Sequence, residues 1–170
     1  MSTTQECLGT NIVSVKTQML NPDIIFKKIT KYSYDNISAI KWYPMEQFTL
    51  LTDHIEKEFS PNVIRKIGKA IIPEMKKAGV LPEMSPELFL EGLSMVYHQA
   101  NRGPNIGDWS VIKKEPKHFI MNNSTMHNCH LEEGILLGGI SSFGGNAPRI
   151  VQTTCVKKGD SFCTFDITWM

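Results

Sequence analysis

Apolar side chains in this chain recur with two different periods, and the change from one to the other constrains what it can fold into. Over residues 45–59, Phe48, Leu51, Ile55 and Phe59 return every three or four positions, the spacing that places side chains on one face of an α-helix. Ser60-Pro61 restarts the chain as N-cap and first helical residue, and Val63, Ile64, Ile67, Ile71, Met75 and Ala78 carry a second stripe to a stop at Gly79. Pro73 falls inside that stripe and is expected to kink or end the helix, because it lacks the backbone donor. Ser85-Pro86-Glu87 repeats the start signal ahead of Leu88, Phe89, Gly92, Met95, Val96 and Gln99, until Asn101-Arg102-Gly103-Pro104 breaks the pattern. A shorter helix over residues 24–30 is expected behind a cap at Asp23, and residues 1–22 read as an N-terminal arm or edge strand.

In the last third the period falls to two. Residues 149–156 and 162–169 alternate apolar with polar around Lys158-Gly159-Asp160, which predicts a β-hairpin. Residues 109–113 and 117–121 read as strands parted by Glu115-Pro116, and Asn122-Asn123-Ser124 as a loop that caps the next helix. Between these pairs residues 131–143 predict a helix holding Gly134, Gly138 and Gly139 and ended by Gly144-Gly145. Each glycine costs a helix about 1 kcal/mol against alanine, so three of them point to close approach of another backbone or of a ligand. Helices first and strands afterwards, with one buried helix among them, make this an α+β chain: N-terminal helices packed on an antiparallel sheet that ends in a C-terminal hairpin. Residues 23–170 are expected to form a single ligand-binding domain, a normal size for one core.

Charge and hydropathy narrow the function by exclusion. The 18 basic side chains nearly cancel the 17 acidic ones, so no strong field points to nucleic acid or anionic lipid. No stretch approaches the roughly 20 apolar residues of a membrane span, and the start lacks the pattern of a secretory signal, so a cytoplasmic protein is expected. A Gly-x-Ser-x-Gly elbow, a phosphate-binding glycine loop and a His-Glu-x2-His motif are all lacking, which favours a binding protein over an enzyme.

The cysteines carry the most chemistry. A hairpin centred on Gly159 sets Cys155 opposite Cys163 on one face, with β-carbons roughly 4.5–5.5 Å apart. Such a pair can ligate zinc, form a cross-strand disulfide, or pack as two small apolar residues. Cys129, in His127-Asn128-Cys129-His130, is the candidate third metal ligand, with His130, His127 or Gln152 as the fourth. His98 is a candidate haem ligand on the third long helix, or a surface histidine. Phe89 and Leu93 with Gly134, Gly138 and Gly139 are candidates for the wall of an apolar pocket, or for plain core.

Two segments carry a family likeness. Residues 129–139, Cys-His-Leu-Glu-Glu-Gly-Ile-Leu-Leu-Gly-Gly, and the later Cys155-x3-Gly159-Asp160-x2-Cys163-x-Phe165 resemble the end of a 4-vinyl reductase-type domain. The likeness is good over residues 119–169 and architectural before that. It implies the fold shared with TRAPP trafficking subunits and haem nitric-oxide sensors, with helices on an antiparallel sheet around a buried ligand site, commonly as a homodimer. It also implies zinc held by three cysteines and a glutamate; Cys129, Cys155 and Cys163 match the thiols, while Gln152 stands where the glutamate would be. The propionate clamp Tyr-x-Ser-x-Arg of the haem sensors is matched here only at Ser124. The expected function is a sensor for a small hydrophobic or aromatic ligand, or a tetrapyrrole, acting on a separate output protein. A haem-based gas or redox sensor and a non-enzymatic interaction module are the alternatives.

Overall fold

The computed structural model describes residues 4–170. The first three residues of the expected N-terminal arm lie outside the described residues. The chain beyond them is not an arm: β1 (Glu6–Leu8) runs directly into helix α1 (Gly9–Thr17). β1 is the middle strand of a small antiparallel sheet, between β2 (Trp42–Pro44) and β3 (Asn101–Arg102). Ile12 and Val15 are three residues apart and bury one face of α1.

The next four helices start where the sequence signals them. α2 is a single turn (Asp23–Phe26), shorter than expected; α3 spans Met45–Glu58 and buries Phe48, Leu51 and Ile55. α4 (Pro61–Lys77) begins at Ser60, whose hydroxyl accepts from the Val63 amide at 3.4 Å; α5 (Pro86–Glu91) begins likewise at Ser85, accepting from Leu88 at 3.2 Å. Gly92 then separates α5 from α6 (Leu93–Ala100), and the buried face is Phe89, Leu90, Leu93 and Tyr97 rather than the expected Leu88 and Met95, which are exposed.

Of the two outcomes expected at Pro73, a kink or an end, the end does not occur: α4 runs on to Lys77, and its packing explains why. Proline removes the amide that would bond the Lys69 carbonyl. That carbonyl instead faces Gly138 of α7 (Cys129–Ser142), so closely that a Cβ on Gly138 would stand 2.2 Å from it. A glycine Cα hydrogen is thus presented to an oxygen that the helix itself leaves unbonded. Gly134 meets the Arg65 carbonyl and Gly68 the Leu131 carbonyl in the same way, each at 2.1 Å from a Cβ built there. The α4–α7 crossing is the most extensive helix–helix contact among the described residues.

The main sheet has the order β4 (Trp109–Glu115), β5 (His118–Asn123), β7 (Cys163–Thr168), β6 (Arg149–Thr154), all antiparallel. One face of β5 and β7, with Phe119, Met121, Phe165 and Ile167, is buried. α7 is capped by Asn128, not by the Asn122–Ser124 loop, and it ends at Gly144 with φ +91°.

Candidate functional site

A cavity of about 100 Å³ lies between α1, α4, α6, α7 and the start of β4. Ile72, Met75, Leu93, Val96 and Ile135 form its apolar wall. Its polar side is a connected set of buried groups. Glu132 is 2 % exposed; its Oε1 accepts from the Thr125 hydroxyl at 3.1 Å and stands 2.9 Å from His127 Nδ1. His127 Nε2 lies 3.2 Å from Asn101 Oδ1, which also accepts from Asn11 Nδ2 at 3.1 Å, while Asn101 Nδ2 donates to the Tyr97 carbonyl at 2.8 Å. Phe48 and Tyr97 meet the imidazole edge-on, with ring centroids 4.9 and 5.1 Å away. Glu132 is a residue that the sequence reading passed over. A carboxylate four residues before Leu136, on the same face of α7 as that buried leucine, was the signal for it.

Beyond α7's first residue lies a second group. Cys129, Cys155 and Cys163 are all buried, with every pair of Sγ atoms within 4.8 Å. Cys129 Sγ is 3.7 Å from Cys155 Sγ and 3.3 Å from Cys163 Sγ. A tetrahedral zinc with sulfur at about 2.3 Å separates its sulfurs by about 3.8 Å, so the three thiols fit that ion. The hairpin delivers two of them by a device the sequence did not show. From Arg149 to Gln152 the strands pair in one register, then Thr153 bulges out and the register moves by one, to Thr154 opposite Thr164. That shift sets Cys155 opposite Cys163 across a turn at Gly159 with φ +96°. Contact with Cys163, and then burial, raises the Cys129 thiol, whereas the same contact lowers Cys163. Of the pair, Cys163 gives up its proton more readily.

His130 and His127, two of the three expected fourth ligands, are not grouped with the thiols: His130 Nδ1 is 3.0 Å from Glu56 Oε1, and His127 pairs with Glu132. His130 belongs instead to a strap in which Glu56 and Asp53 of α3 take the Asn128 amide and Lys157 Nζ, tying the start of α7 and the hairpin to one helix. Gln152 lies on the other strand of the hairpin. It faces inward beside Ile150 on β6, and its Nε2 is buried with no hydrogen-bond partner. Of the expected pocket residues only Leu93 lines the cavity. Gly134 and Gly138 are filled against the α4 backbone and Gly139 against the Phe89 ring, so these glycines close space between elements rather than opening it.

No family model and no curated protein matches the sequence. Solved structures do match the fold. An H-NOX protein from S. oneidensis in the Fe(II)NO ligation state aligns over 96 % of this chain and 99 % of its own, at TM-score 0.69 and 12 % identity. A variant of the Fe(II) unliganded H-NOX protein from K. algicida aligns over 96 % of both chains, at TM-score 0.74 and 13 % identity. A variant of T. tengcongensis H-NOX aligns over 94 % of both, at TM-score 0.65 and 12 % identity. The chain therefore has the α+β fold of H-NOX proteins along nearly its whole length.

Haem, which that fold implies, does not fit the residues present. The cavity, at about 100 Å³, is too small for a tetrapyrrole, since pockets for drug-sized molecules begin at roughly 300 Å³. No lysine or arginine lines it to receive propionates. His98 is outside the lining; its ring is 45 % exposed and stands 3.4 Å from Asp108.

Proposed function

We propose that this chain is a sensor domain that binds a small molecule between its helices and sheet, and that Cys129, Cys155 and Cys163 hold a zinc ion fastening α7 to the closing hairpin. The observation that carries the reading is the pairing of a cavity with an adjoining cluster of three buried thiols, both built on α7. Gln152 or a water molecule would complete the zinc tetrahedron; the ion would act structurally, since buried thiolates fix the two elements relative to each other. Binding rather than catalysis is the proposed activity. Ligand binding shifts a two-state equilibrium only by its differential affinity for the two states, and the response would pass to a separate output protein, with a homodimer as the working assembly. Finer assignment to the 4-vinyl reductase-type branch is part of the proposal and rests on the Cys-x3-Gly-Asp-x2-Cys-x-Phe segment.

A second reading, a haem-based gas sensor, is favoured by the fold likeness to H-NOX proteins. Native mass spectrometry of the purified protein, with its visible absorption spectrum, separates the two. One zinc per chain without tetrapyrrole supports the first; a Soret band with one haem per chain supports the second and overturns the first.

A further inference from the structure

We infer that the cavity selects an uncharged molecule of benzene size or smaller, with an apolar body and one hydroxyl or carbonyl end, and that the Glu132–His127 pair is its polar anchor. This names the ligand class of the cavity and so rests on the ligand-binding reading above.

The hydrogen bonds around Asn101 fix how the anchor is held. Its Nδ2 donates to the Tyr97 carbonyl, and its Oδ1 already accepts from Asn11. An oxygen so placed is an acceptor, and His127 Nε2 faces it at 3.2 Å. The other ring nitrogen, Nδ1, is 2.9 Å from Glu132 Oε1, which also accepts from the Thr125 hydroxyl. The carboxyl is therefore already matched within the protein, by its own imidazole and by a hydroxyl.

Nothing else in the lining is ionic. With no lysine or arginine, a ligand carboxylate or phosphate would be buried without a counter-charge. A ligand cation would meet a carboxylate already matched by its own imidazole. Both signs of charge are disfavoured, while a hydroxyl or carbonyl can exchange hydrogen bonds with the anchor. Size is set by the walls: a cavity of about 150 Å³ lined by aliphatic side chains admits benzene, and this one measures about 100 Å³.

Three probes of nearly equal size test this on the intact chain: cyclopentanol, cyclopentylamine and cyclobutanecarboxylate, titrated at pH 7 and followed by amide chemical shifts. Cyclopentanol is expected to saturate shifts at Leu93, Val96 and Ile135, with affinity at least tenfold above either ion. E132Q, which keeps the size of the anchor and removes its acid, is expected to weaken cyclopentanol at least fivefold. V96L, one methylene larger, is expected to block cyclopentanol without loss of fold and serves if E132Q does not fold. Equal or tighter binding of either ion, or no saturable binding of cyclopentanol to well-folded protein, overturns the inference. In the latter case a co-purified molecule of another class would keep the sensor reading alive, and an empty protein would end both.

Discussion

Replacing Gly138 by alanine tests how the fold is held together. A Cβ there would stand 2.2 Å from the Lys69 carbonyl oxygen, 2.9 Å from its carbon and 3.1 Å from its Cα. Ordinary contact begins at 3.4 Å, so α4 and α7 must part by about 1.2 Å, and backbone atoms cannot turn aside as a side chain would. Overpacking of this kind costs about 1–3 kcal/mol, placed here at the upper end, and alanine returns about 1 kcal/mol of helix propensity. The net loss is about 1–2 kcal/mol, or about 2–8 °C in melting temperature for a domain of this size. Urea unfolding followed by circular dichroism measures it. The same separation would also relieve Gly134 against Arg65, so the G134A/G138A double variant should lose less than the sum of the two single variants. A neutral or stabilised G138A would show that propensity alone operates and that the two backbones are not in contact, which would refute the packing described.

Cys163→Ser should abolish zinc retention in elemental analysis and lower the melting temperature; stripping the wild type with a chelator should produce a similar fall. Asn128→Ala removes a cap that accepts from the His130 and Leu131 amides and a donor to Asp53 and Glu56. A cost of about 1–2 kcal/mol is expected by urea unfolding, above the cost of about 1 kcal/mol for Ser85→Ala, whose hydroxyl caps α5 alone. Burial works to raise the Glu56 carboxyl, but hydrogen bonds from Asn128 and Lys157 outweigh it and hold the group below the ordinary carboxylate range. A depressed acid stabilises the fold above its unfolded pKa, so this contribution should be lost as pH falls from about 4.5 through the folded value. E56Q should flatten that part of the melting-temperature profile.

Much of the helical half could be foreseen because its signals are local. Ser60-Pro61 and Ser85-Pro86 each supply a cap acceptor and a residue that needs no donor, so the starts of α4 and α5 follow from two residues apiece. That the helix continues through Pro73 could not be foreseen for the opposite reason: the oxygen it orphans is met from a helix more than sixty residues later. The thiol cluster was legible in outline from turn symmetry about Gly159, whereas the bulge at Thr153 that makes the symmetry hold comes from strand register. The cavity was not legible. Asn11, Asn101 and His127 come from three separate elements, and no short-range pattern joins them. The glycines of α7 were read as a choice between backbone approach and open space; packing with α4 took the first at Gly134 and Gly138, and the Phe89 ring fills the space at Gly139.

The strand order of the main sheet has a bearing on how the molecule is assembled. β7 lies between β5 and β6 yet comes after both along the chain. Until Cys163–Thr168 arrives, the two strands it will join each present a bare row of amides and carbonyls, open to strands of other molecules. The same six residues carry Cys163, so completing the ladder and completing the sulfur cluster are one event. Partly made chains would be the aggregation-prone species, and zinc supplied during refolding should raise the yield by trapping that last step.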